Sequence, residues 1–230
     1  MSRAASLVLT GLLIAAPAGH LAWAQSLDTP AAQYSYAIGT QIGGSVAQGD
    51  VPDLDIDALV LGLRDVLGGV DPKLTEDQIA AAMTELQNAM QASAVAAANK
   101  ALADGQAFLE ENKAKDGITT TESGLQYRVE NAGDGDSPKA TDTVSVHYEG
   151  RLLDGSVFDS SYERGAPATF GVTQVIPGWT EALQLMKPGA KWEVWLPSDI
   201  AYGERGAGGD IGPNEVLNFT IELIEIAAAE

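Results

Sequence analysis

The chain has 230 residues, a formal net charge of −19 at pH 7, no cysteine, and 45% apolar residues, enough to build one large or two small cored domains. Lack of cysteine excludes disulfides, thiol chemistry and lipid attachment at a leader cleavage site. The acidic balance repels nucleic acid and anionic lipid, so neither is expected as a partner.

Residues 1–24 have the pattern of a secretory leader. Arg3 opens it, an apolar run extends from Leu7 to Ala16, and Ala22-Trp23-Ala24 forms a small-x-small cleavage site before Gln25. That run is too short to cross a bilayer and no later stretch is apolar enough, so no membrane span is expected. The mature chain is expected in the periplasm, with association with the outer membrane or release to the exterior as alternatives. Cleavage removes Arg3 and no acid, taking the charge from −19 to −20. It also removes His20, leaving His147 as the one histidine. A Ser-His-Asp triad would have to use that residue, and a His-rich metal site is excluded. No cofactor is expected.

From about residue 31 to 115 the pattern is helical. Tyr34, Ile38, Ile42 and Val46 recur every four residues, and Ile56, Leu59, Val60, Leu63 and Leu67 follow helical spacing, which predicts two short amphipathic helices. Asp55 is a natural N-cap for the second. Gly68-Gly69 and Asp71-Pro72 interrupt the pattern. Thr75 followed by Gln78 is a capping-box signature, and the proline-free run to Lys113 predicts one helix of roughly 35 to 40 residues, on the order of 55 Å long. Its early positions Ile79, Met83, Leu86 and Met90 have the spacing of a seam against another helix. The stripe then fades to Ala94, Ala97 and Ala101 before Phe108 and Leu109, which predicts an exposed connecting rod. The region 31–92 is the expected dimerisation module; the alternative is a monomeric three-helix cap on the second domain.

Beyond Gly117 strand patterns take over. Leu125–Val129, Thr143–Tyr148, Val157-Phe158, Lys191–Leu196 and Leu217–Leu223 read as strands, with Asp154-Gly155 as a hairpin turn and a short helix from Trp179 to Met186. The fold class is therefore α+β, an antiparallel sheet carrying one helix on a face. Tyr148 shares its face with Val144 and Val146, and Phe219 shares one with Leu217 and Ile221, so both should point toward that helix. Trp179 would form the floor of an apolar, aromatic-lined pocket. His147 falls on the opposite face and is expected toward solvent.

Four ordered motifs now carry a resemblance. Val146-His147-Tyr148-Glu149-Gly150, Asp154–Ser161, Val175-Ile176-Pro177-Gly178-Trp179 and Ala201-Tyr202-Gly203 resemble the FKBP-type peptidyl-prolyl cis/trans isomerases. Upstream, Ser35–Gly39 and Leu63–Val66 with the long helix resemble the Mip-like (macrophage infectivity potentiator) subgroup. The resemblance implies a leader at 1–24, a helical dimerisation domain at 25–74, a long connecting helix at 75–115 and an isomerase domain at 116–230. It implies a homodimer, proline-containing unfolded or partly folded polypeptides as substrates, and macrolides such as rapamycin as inhibitors. It also implies pocket positions at Tyr148, Phe158, Asp159, Phe170, Val175, Ile176, Trp179, Tyr202 and Phe219, with Arg164 near Asp159 and Ile211 in an overhanging loop. Gln174 and Ala168 depart from the best-known small members, which commonly have Glu and an aromatic there.

The chemistry needs neither nucleophile nor metal. Rotation of an X-Pro amide crosses a barrier of about 18 to 20 kcal/mol because conjugation is lost at the twisted state. That state has less charge separation than the planar amide, so an apolar pocket favours it, and binding it more tightly than either planar form accelerates exchange. The Ile176 backbone N–H is expected to hold a substrate carbonyl and Tyr202 to donate a second hydrogen bond. A carboxylate among apolar rings needs a partner, so Asp159 is expected to pair with Tyr148 or Arg164. A different class of function, a dimeric holdase chaperone in which isomerisation is secondary, is also compatible with the sequence.

Overall fold

A computed structural model describes residues 26–49 and 51–227; the expected leader at 1–24 lies outside the described residues. The chain forms two compact units, one ending at Val51 and the other beginning at Pro52.

The first unit contains helix α1 (Pro30–Gln48), which starts where the Thr29 side chain accepts the Ala32 N–H and Pro30 supplies a preset backbone angle. None of its residues is buried, and Tyr34 and Ile38 are 61% and 54% exposed.

The second unit opens with α2 (Ile56–Leu67), capped by the Asp55 side chain accepting the Ala58 N–H. Helix α3 (Glu76–Asn112) has 37 residues, within the expected length. Its capping box is reciprocal, Thr75 Oγ1 accepting the Gln78 N–H and Gln78 Oε1 accepting the Thr75 N–H.

The rest is an antiparallel sheet: β1 (Ile118–Thr120), β2 (Gln126–Asn131), β3 (Thr143–Arg151), β4 (Val157–Ser160), β5 (Ala168–Gly171), β6 (Lys191–Leu196) and β7 (Leu217–Ala227). Its order is β1-β2-β6-β7-β3-β4, with β5 also on β3. Strand β3 gives one edge to β5 through Thr143–Val146 and to β4 through Glu149–Arg151, while pairing with β7 along its length. Strands β1 and β5 are too short to show a period in the sequence. Helix α4 (Pro177–Leu185) begins two residues before Trp179 because Pro177 is preset for a first helical position. Its Trp179, Ala182 and Leu183 pack with Val144, Val146, Val194, Leu217, Ile221 and Leu223 in one core, on the face that strand parity assigned.

Helix α3 is exposed over most of its length, as expected of a connecting rod, but it also makes contacts with the sheet domain. Its second half places one face on the sheet domain, with Gly105 and Asn112 buried. Asn112 Nδ2 donates to Gln126 Oε1 (2.9 Å), and Gln126 Nε2 donates to the Leu109 carbonyl (2.8 Å). A Cβ on Gly105 would stand 2.7 Å from Val216 Cγ2, so glycine is what lets the helix approach. Trp195, the register partner of Gln126, is buried but outside the main core. Small residues and polar pairs make this docking, and they leave no stripe of large apolar residues at helical spacing.

Candidate active site

The motif residues converge on one cavity of about 440 Å³. It is lined by Tyr148, Phe158, Asp159, Phe170, Gln174, Val175, Ile176, Trp179, Tyr202 and Phe219. Trp179, 4% exposed at the start of α4, is the floor. Three rings meet it edge to face: Tyr148 at 5.1 Å between centroids, Phe219 at 5.3 Å and Phe170 at 5.8 Å. Phe158 meets Phe219 in the same manner at 5.5 Å. Edge-to-face contact puts the positive edge of one ring on the negative face of another, so the walls are fixed by more than burial. Beside them, the Ile176 carbonyl accepts the Trp179 and Thr180 N–H groups, while its own N–H has no backbone acceptor among the described residues.

Two expected positions lie elsewhere. Ile211 does not line the cavity; it is 9% exposed, belongs to the core and bridges to Ala207, because its loop folds back on the domain. Arg164 is not part of the wall either, but it reaches both polar groups of the rim, donating to Asp159 and, at 2.8 Å, to the Tyr148 hydroxyl. His147 lies on the face opposite Tyr148, as expected, yet is half-buried and stacked on Tyr162 at 4.8 Å.

Two supports were not singled out from sequence. Gly150 leaves room for two walls: a Cβ there would stand 2.5 Å from Phe158 Cζ and 2.7 Å from Phe219 Cε1. Ser161 is fully buried, its Oγ accepting the Tyr148 N–H at 2.8 Å and lying 3.2 Å from the Tyr148 carbonyl. Both belong to the motifs, but their roles require knowing which strands are neighbours.

The family pattern described as "FKBP-type peptidyl-prolyl cis-trans isomerase" matches residues 135–224, and that described as "Domain amino terminal to FKBP-type peptidyl-prolyl isomerase" matches 31–129. The FKBP-type 22 kDa peptidyl-prolyl cis-trans isomerase of Escherichia coli is 47% identical over 201 residues, covering 87% of this chain and 98% of that protein. The chain belongs to the FKBP-type peptidyl-prolyl cis-trans isomerase family. The isomerase is also 47% identical to the outer membrane protein MIP of Legionella longbeachae over 210 residues, 90% of either chain. The crystal structure of FkpA from Escherichia coli superposes with a TM-score of 0.71 at 34% identity, covering 89% of this isomerase and all of that chain. These relatives favour isomerisation over the holdase alternative as the main function.

The rim of the cavity is an aromatic-acid-base triangle. Tyr148 donates its hydroxyl to Asp159, and Arg164 binds both while its guanidinium lies 5.4 Å from the centre of the Tyr148 ring. Burial pushes the Asp159 carboxyl up, but the hydrogen bonds from Tyr148 and Arg164 and the arginine charge outweigh it, so the net shift is below the usual carboxylate value. Burial, followed by the bond to Asp159, pushes the Tyr148 hydroxyl up. Asp159 is thus held as an anion and Tyr148 as a neutral donor, with no acid–base role required of either.

Proposed function

We propose that this isomerase accelerates X-Pro rotation by binding the twisted amide in the cavity above Trp179. The supporting observation is the ring cluster around Trp179 with, at its edge, an Ile176 N–H that has no backbone acceptor among the described residues. The pyrrolidine ring enters between Tyr148, Phe158, Phe170 and Phe219, with Val175 and Gln174 at the side. Ile176 N–H holds a carbonyl of the substrate, Tyr202 donates a second hydrogen bond, and the Asp159-Arg164 pair fixes the rim. Apolar walls favour the less charge-separated twisted amide. A protease-coupled assay on proline peptides tests this: Trp179→Phe and Asp159→Asn should both slow exchange in folded protein. Rapamycin, as a competing occupant, should inhibit the same assay, and wild-type rates in both variants would exclude the pocket.

The substrates proposed are proline-containing chains of exported proteins, consistent with the leader-like pattern at 1–24 and a periplasmic location. A homodimer through the 25–74 region and the first half of the 75–115 helix accords with the exposed apolar residues of α1 and with Ile79, Met83 and Met90 on α3. Light scattering should give twice the chain mass for wild type and the chain mass for a Met83→Glu/Met90→Glu variant, with peptide isomerisation retained.

A further inference from the structure

The loop from Tyr202 to Val216 carries one wall of the pocket at its start and meets the long helix at its end. Asn214 links the two. Its backbone N–H donates to the carbonyl of Gly203, the residue next to Tyr202, at 2.9 Å. Its side-chain Nδ2 donates to the Ala98 carbonyl of α3 at 3.2 Å. That carbonyl has a second lone pair beyond the one a helix uses, so the contact leaves the helical ladder intact. Asn214 is also one of two non-glycine residues with a left-handed backbone among those described, at φ 61°. Glycine would adopt that backbone with less strain; what asparagine adds is the amide donor. Between Gly203 and Asn214 the loop closes on itself through reciprocal bonds between Ala207 and Ile211, at 2.9 and 3.2 Å. Two residues beyond Asn214, Val216 lies against Gly105 on the same face of α3.

We infer that Asn214 is a positioning residue for the pocket rim, holding the loop that begins at Tyr202 against the Ala98 carbonyl of the long helix. The isomerase pocket thereby takes part of its shape from a helix outside the sheet domain. This rests on the reading of Tyr202 as a substrate donor.

Two variants of the full chain isolate the amide. Asn214→Gly keeps the left-handed backbone and deletes the donor; Asn214→Asp keeps the size and sets a carboxylate against the carbonyl. Both should lower kcat/KM in the proline-peptide assay by about fivefold, the scale of one neutral hydrogen bond. In a Tyr202→Ala background Asn214→Gly should cause no further loss, because its effect passes through that side chain. Wild-type kcat/KM in both Asn214 variants overturns the inference even if their melting temperatures fall. So does a loss that multiplies in the Tyr202→Ala background. Wild-type kcat/KM in Tyr202→Ala alone refutes the reading of Tyr202, and the positioning role with it.

Discussion

Tyr148 on β3 donates its hydroxyl to Asp159 on β4, although their backbones are offset: Asp159 is the register partner of Gly150, two residues along from Tyr148. Residues two apart on a strand share a face, so Asp159, opposite Gly150, is on the same side of the sheet as Tyr148 and its carboxylate can reach the hydroxyl. Arg164 then closes on both.

Asp159→Asn should lower kcat/KM by about tenfold, the scale of one charge-assisted hydrogen bond, while circular dichroism shows an intact fold. The side chain is 42% exposed, so little stability depends on it. Its folded-state pKa lies below the unfolded value of 3.8, so the small stabilisation is present above that value and is lost as pH falls through the folded value. Activity measured against pH should therefore show no loss attributable to this group near neutrality.

Trp179 acts through its ring and Ile176 through its backbone, so their substitutions should differ. Trp179→Ala removes the floor of the core and should cost about 3 to 5 kcal/mol of stability; Trp179→Phe retains a fold on which kcat/KM can be read. Ile176→Val should cost at most about 1.5 kcal/mol and leave the peptide rate close to wild type. Comparable rate losses in Trp179→Phe and Ile176→Val would refute this division.

Gly150→Ala inserts one methyl group against Phe158 and Phe219. Both rings must shift to relieve it, so the variant should lose about 1 to 3 kcal/mol of stability in urea denaturation. It should also lose more than about tenfold in kcat/KM, since a displacement of about 1 Å in a positioned site is severe.

Glu215 sits beside the α3 docking face, where burial first, and then the charges of Asp154 and Asp104, push its carboxyl up despite Lys100. A raised folded-state pKa means the native protein binds that proton more tightly than the unfolded chain. The ionised group therefore opposes folding, fully so above its folded-state value, and the penalty disappears as pH falls to the ordinary 4.5. Glu215→Gln should raise the melting temperature at neutral pH, and the gain should vanish in acid. An equal gain at both values would point to a cause other than charge.

Local rules carried much of this protein. The caps at Asp55 and Thr75, the length of α3, strand parity at Val144, Val146 and Tyr148, and the ring inventory are written in nearest-neighbour chemistry and period. They were enough to place Tyr148, Trp179 and Phe219 in one pocket.

Spacing along one chain is enough to locate the longer helices and strands and to say which of their side chains face inward, but not to find the three-residue β1 or the four-residue β5. Tertiary structure decided what depends on close approach between distant segments: Gly150 under two rings, Gly105 under Val216, Ile211 in the core instead of over the site, and Asn214 reaching Ala98. Such contacts use small residues and single polar atoms, which leave no periodic signal. That is why the contacts of the second half of the long helix with the sheet domain leave no trace in the pattern of its sequence.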